Sequence, residues 1–295
     1  MSRRAILGLS IAGVILIAGI ISGQGRQVQS QPSLDIFPDN IALFECALGN
    51  TPGCSTKFVF GRNTNVSTGI EVLWDAGGDY VFYPTVGIEI DCVSTDVDDT
   101  AAGTGARSIT IEALDSTFNA FTENLVMNGT TPVVLPTLVR RVTKIFSFTS
   151  GTSLGNEGTL FCEATVGGGG VPAGDGVPSS DDAQQILPLN GSSLLAGFTV
   201  PNGKTGLLIN AAYQLGRGDD AEIALASRLN EGAVGDDGSF VLVWIGEGYQ
   251  NSYTFASATV RTFPEKTDIQ MVASQASGGG TIPVTGFFEF FLFDN

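Results

Sequence analysis

Ile88-Glu89-Ile90-Asp91-Cys92 and Ile109-Thr110-Ile111-Glu112-Ala113 alternate apolar and polar side chains. A period of two puts one set on each face of an extended chain, so these runs read as strands with one dry and one wet face. Residues 57–60, 70–74, 87–93, 108–114, 124–127, 138–148 and 159–165 are likewise short runs rich in β-branched and aromatic residues, separated by Gly, Asn and Asp clusters. Residues 194–200, 205–213, 221–226, 240–245, 252–256, 268–273 and 286–293 repeat the pattern, with 187–198 and 221–229 the least strand-like. Many short strands at turn-punctuated spacing point to sandwiches or jelly rolls rather than βαβ units. The expected fold class is all-β: two β-sandwich or jelly-roll-like domains after an N-terminal apolar helix.

That helix is the one departure from the β pattern. Arg3 and Arg4 precede Ala5 to Ile21, a run broken only by Ser10 and three glycines. A spanning helix needs about 17–25 apolar residues, and a basic pair ahead of it favours keeping the N-terminus on the cytoplasmic side. Ile21-Ser22-Gly23-Gln24 lacks the Ala-x-Ala form of a signal cleavage site. Residues 5–21 are therefore expected as a retained membrane-associated segment. A cleaved export signal and a helix buried inside an assembly stand as the other readings.

Composition and punctuation give the rest of the layout. Residues 1–34 are expected to hold the apolar helix and a polar, Gln-rich stalk. Residues 35–165 form a first β-sandwich domain. Residues 166–183, with Gly167–Gly170 and two prolines, form a linker, and residues 184–295 a second domain. Setting Arg3 and Arg4 aside leaves twelve basic residues against thirty acidic, a net of about −18. Such a body repels phosphate backbones, so no direct nucleic-acid partner is expected. Histidine is absent, which removes the commonest general base and the commonest metal ligand. Gly151-Thr152-Ser153-Leu154-Gly155 has the form of a hydrolase nucleophile elbow, but it lies in a polar turn and the chain offers no histidine partner. No catalytic residues and no enzymatic activity are expected.

Other motifs read more simply. Asn202-Gly203-Lys204-Thr205 mimics the end of a phosphate loop but lacks the glycine five positions ahead, so a β-turn joining two strands is expected. Asp96, Asp98 and Asp99 could offer a cation hard oxygen ligands, with Ca²⁺ the candidate, although the EF-hand pattern is missing and solvated turns are the plainer account. Two further acidic clusters, Asp219/Asp220/Glu222 and Asp236/Asp237, read the same way, and Arg217-Gly218-Asp219 is a three-residue match of little weight. Cys46 and Cys54 bracket a turn-rich loop and form a disulfide candidate, while Cys92 and Cys162 either pair across a sheet or fill the core. Phe287, Phe288, Phe290, Phe291 and Phe293 put aromatics on both faces of the last strand, which must then be buried on both sides, by a second sheet or by a neighbouring subunit.

A succession of segments carries a resemblance. Phe60-Gly61-Arg62-Asn63-Thr64-Asn65-Val66 leads to Glu71-Val72-Leu73-Trp74 and Gly77-Gly78-Asp79-Tyr80, then to Asp98 through Arg107 and Asn128-Gly129-Thr130-Thr131. Over residues 57–165 this resembles β-rich virion structural proteins of tailed bacteriophages, many of them marine. The resemblance implies a non-enzymatic virion component (spike, penton-associated or minor capsid protein). Its partners would be other copies of itself, capsid proteins, a membrane through residues 5–21 and a host-surface receptor. It would lie in a virion with its body exposed and its N-terminal helix in an internal membrane or assembly core. A bacterial surface or pilus-like adhesin, or a secreted carbohydrate-binding module, are the alternatives.

Overall fold

The computed structural model describes residues 45–165, 182–216, 220–229, 239–249, 253–255, 261–275 and 280–295. The expected N-terminal helix and stalk, residues 166–181 of the expected linker, the Arg-Gly-Asp tripeptide and Asp236/Asp237 lie outside them. Among the described residues, no helix is long and apolar enough to cross a membrane.

The chain is nearly all β. Its strands in order are β1 (Cys54–Val66), β2 (Glu71–Val72), β3 (Ile90–Ser94), β4 (Ala106–Asp115), β5 (Ala120–Val126) and β6 (Val133–Val134). Next come β7 (Val139–Ser150), β8 (Leu160–Ala164), β9 (Asp182–Ile186), β10 (Gly197–Thr199), β11 (Lys204–Leu215) and β12 (Asp220–Leu229). The last five are β13 (Val241–Tyr249), β14 (Tyr253–Phe255), β15 (Arg261–Phe263), β16 (Thr267–Gln275) and β17 (Ile282–Asp294). They form four antiparallel sheets. One runs β1-β17-β11-β14 with β15 also on β11, and a second runs β10-β16-β12-β13 with β2 also on β16. Two smaller sheets run β6-β3-β8-β9 and β5-β4-β7.

The sheet of β12 and β16 is dry on both faces. Ile223, Leu225, Met271 and Ala273 point into a core shared with Val59, Leu73, Tyr213, Phe288 and Phe290. Ala224 and Val272, between them in sequence, point into a second core with Trp74, Phe82, Ile90, Ile109, Ile111 and Ile145. Alternate side chains thus serve opposite cores, and β16 is buried along nearly its whole length. The layers run from the β1-β17-β11 sheet through one core to the β12/β16 sheet, then through the other core to the two small sheets.

The chain crosses its midpoint repeatedly. β1 pairs with β17 from Cys54 opposite Phe293 to Val66 opposite Ile282, β2 pairs with β16, and β9 pairs with β8. Asp182 and Ala183, expected in the linker, belong to β9. Each core therefore draws on residues from both sides of 166–181. A buried ion cluster ties the same halves. Arg141 of β7 donates to both oxygens of Asp268 on β16, at 3.0 and 2.9 Å, while Arg228 of β12 adds a 2.9 Å bond and Thr199 a 2.5 Å one. Burial alone would raise the Asp268 pKa, but Arg141, Arg228 and Thr199 together hold it below the usual carboxylate range.

The two ends of the molecule differ. At one end Asn202 N–H donates to Phe118 O, Asn295 N–H to Gly203 O and Asp294 N–H to Gly53 O. The turns at 115–119 and 201–204, the C-terminal residues and the start of β1 are thereby gathered together. Residue 45, where the described chain begins, is held there because Cys46 is disulfide-bonded to Cys54. At the opposite end of β4 and β7, the loops 95–105, 127–131, 151–158 and 187–191 close on one another.

Candidate functional site

That loop cluster contains the acidic residues singled out from the sequence, and it divides them. Asp99 faces inward and is fully buried. Its Oδ1 accepts from the N–H groups of Ala106 (2.6 Å) and Glu157 (2.9 Å), and its Oδ2 from Ser94 Oγ (2.6 Å) and Gly158 N–H (2.9 Å). These four bonds occupy the carboxylate and pin the 95–105 loop to the 151–158 loop and to the ends of β3 and β4, so Asp99 is a structural anchor rather than a cation ligand. A Cβ at Gly105 would collide with this carboxylate, which explains the glycine there. The place expected for Asp99 is taken by Glu157: Asp96, Asp98 and Glu157 bring three carboxylates within 4.8 Å of one another. Asp98 is exposed and the other two half-buried. Glu157 lies 58 positions beyond Asp99 in sequence, so spacing within the Asp96–Asp99 run could not have found it.

Glu157 also explains Ser153. The Ser153 hydroxyl donates to Glu157 Oε1, and Thr104 Oγ1 donates to the same oxygen at 2.6 Å. These two bonds lower the Glu157 pKa. Such a carboxylate accepts bonds and stays ionised; it is not placed as a base in a Ser-His relay. Beside it, the buried Asn156 side-chain amide donates to the carbonyls of Gly158, Ile186 and Leu187 at 2.7–3.2 Å, fixing the 187–191 loop.

Cys92 and Cys162 lie directly opposite each other on β3 and β8 and are disulfide-bonded, as are Cys46 and Cys54. Asn202-Gly203 is the turn between β10 and β11, with Gly203 at φ 71°. The C-terminal phenylalanines separate by face. Phe288 and Phe290, expected to be covered by a second sheet or by a neighbouring subunit, are covered by the sheet: even positions of β17 face β12 and β16, and both rings are fully buried in the core between them. Phe287 and Phe293 are half-buried on the other face, and Phe291 is buried there. Phe287 packs on Phe58 of β1 at 5.2 Å between ring centroids, and Phe58 is 56% exposed.

Two features carried no sequence signal. Tyr83 is enclosed between the Arg141 and Arg228 guanidinium groups, 5.0 and 4.2 Å from its ring centroid, and donates to Gln270 Oε1 at 2.8 Å. Asp75 sits in the tight turn after Trp74, and burial pushes its carboxyl up to about 7, against smaller lowering contributions from its own backbone, Gln185 and Arg62.

No protein-family model matches the chain, and no curated protein matches it. Among solved structures, the isomalto-dextranase of Arthrobacter globiformis complexed with panose aligns at 12% identity and a TM-score of 0.16, over 81% of this chain and 35% of that one. The chain thus spans about a third of that enzyme's length. Infectious bursal disease virus, Gt strain, aligns at 9% identity and a TM-score of 0.13, over 82% of this chain and 80% of that one. The Gx strain of the same virus aligns at 9% identity and a TM-score of 0.14, over 82% and 76%. At these TM-scores none of the three bears on fold or function.

Proposed function

We propose that this chain is a non-enzymatic structural protein of a virion, of the bacteriophage kind resembled by residues 57–165. In this reading, residues 5–21 fix it to an internal membrane or assembly core, and the β body, built of two sandwich-like units, stands outward as a spike or a penton-associated or minor capsid component. The observation that carries the reading is the polarity of the body. Residue 45, the first described residue, lies at the end where the Cys46–Cys54 ring and the C-terminal residues meet, opposite the loops around Asp99. An anchor there would present the acidic loops outward, to solvent or host.

Two facts support it further. The pairing of all four cysteines suits a body assembled beyond a membrane, in an oxidising compartment. The lack of histidine and the engagement of Ser153 by Glu157 argue against a Ser-His hydrolase, in keeping with a non-enzymatic role. Homo-oligomers are expected by analogy with virion components.

Purified particles and vesicle flotation test the proposal. The full chain should be a stoichiometric particle component with its N-terminus intact and should float with lipid vesicles, while a variant lacking residues 1–22 should stay soluble and folded but neither float nor enter particles. A mature N-terminus near Gly23 would replace the anchor with an export signal and favour the surface-adhesin reading. Absence of the chain from particles would overturn the proposal.

A further inference from the structure

β13 is an edge strand in which Val241, Leu242 and Ile245 are 60%, 51% and 48% exposed. Among the described residues its one strand neighbour is β12. Such an edge is a template for another strand, and monomeric proteins usually blunt it with lysine, proline or a covering loop. Here the sequence from Ser239 to Gly246 is Ser-Phe-Val-Leu-Val-Trp-Ile-Gly, with neither a charge nor a proline. Val243 and Trp244 pack against the core and fix the strand from one side. Next to it runs a groove of about 460 Å³ whose apolar wall is formed by Val241, Leu242, Phe263 and Pro264, and whose other half is polar and includes Arg228 and Arg261.

We propose that β13 pairs edge to edge with β13 of a second copy of this chain, antiparallel, with apolar side chains of each copy entering the groove of the other. This rests on the homo-oligomer reading above and names its surface. Charge selects the occupant. A chain of net charge −16 repels its own copies wherever acidic surfaces meet, and Ser239–Gly246 offers an uncharged, strongly β-forming edge where two copies can approach. Antiparallel edge pairing is also self-complementary, so one patch serves both partners of a two-fold dimer. Among the described residues β1 is another edge strand with exposed apolar side chains, and it is less suited: Phe58 is paired with Glu289 across the sheet and its ring already packs on Phe287.

The four native cysteines are all disulfide-bonded, so a single introduced cysteine reports contact directly. The register shifts opposite Leu225/Ala226, so the scan covers every position. Val241→Cys, Leu242→Cys, Val243→Cys, Trp244→Cys and Ile245→Cys are made one at a time in the full chain in mild detergent, with Phe58→Cys and Phe60→Cys as controls. Gentle oxidation should give disulfide dimers peaking within 241–245 and little from the controls. In light scattering, Leu242→Lys and Ile245→Lys should each weaken the dimer by ~10-fold or more while thermal unfolding stays cooperative. Dimers that cross-link through Phe58→Cys or Phe60→Cys and ignore the lysine variants would overturn the β13 assignment but keep the oligomer reading. A monomer at every concentration tested would overturn both, whether β13 is then covered by another segment of the chain or by a different protein.

Discussion

Replacing Asp75 by asparagine isolates one buried ionisation and yields a pH-dependent stability difference that can be worked out in advance. The Asp75 side chain lies in the turn closed by the Gly77 N–H bond to Trp74 O, and its Oδ2 is buried with no hydrogen-bond partner among the described residues. Burial moves its pKa from 3.8 to about 7. The folded state therefore holds this proton over a range in which the unfolded chain releases it. By linkage, stability falls as pH rises from about 4 to about 7 and is level above that. Each pKa unit corresponds to about 1.4 kcal/mol, so the full effect is about 4 kcal/mol as an order of magnitude. Asparagine has no proton to lose, so its stability carries none of this slope. Passing from pH 5 to pH 8, the variant should gain about 3 kcal/mol relative to the native chain, since about two of the roughly three units lie in that interval. Any constant cost of fitting the amide cancels, because only the change in the difference is read. Denaturant unfolding of both proteins at several pH values, followed through the buried Trp74, supplies the numbers. A difference that stays flat within about 0.5 kcal/mol from pH 5 to 8 would mean that Asp75 is already ionised in the fold, with Arg62 compensating for its burial.

Three further outcomes are expected. Asp268→Asn should destabilise the fold by about 3–5 kcal/mol in denaturant unfolding, because it removes the anion between two buried guanidinium groups; since the folded-state pKa of Asp268 is depressed, the native advantage should be present near neutral pH and fade as pH falls through the acid range. Asp99→Ala should cost about 3 kcal/mol or more in thermal or chemical unfolding and speed hydrogen exchange at the Glu157 and Gly158 amides, which it leaves without their acceptor. Cutting at a protease site inserted among Gly167–Gly170 should leave both pieces co-eluting on native gel filtration and separating only in denaturant, because β1–β17 and β8–β9 pair across the cut; two independently eluting fragments would refute that pairing.

Alternation read along the chain found the strands but not their partners, and β1 shows why. Lys57-Phe58-Val59-Phe60 reads as a strand, while the following Gly61-Arg62-Asn63-Thr64-Asn65 reads as a turn, yet the structure carries the strand through to Val66. Tertiary packing overrides local propensity there. Any Cβ at Gly61 would run into the backbone of Ala196 and Leu73, so the glycine is a close-approach site between layers. Asn63 is buried and donates to Glu71, whose carboxylate also accepts from Ser67 and Gly78. Residues that look like turn formers are thus a satisfied polar network joining two sheets. The same limit governs the loops at the far end: Asp96 and Asp98 were visible as neighbours, but Glu157 joins them only because Asp99 turns inward and grips the Glu157 and Gly158 amides. It also governs the layout of the whole chain. A glycine-rich stretch suggests two independent halves, since composition reports where a chain can bend. The pairing partners of a strand are set by which buried faces fit, and here Val59 from one half and Phe288 from the other meet in one core. Separating the halves would expose that core on both sides, so the pieces on either side of 166–181 should depend on each other for folding.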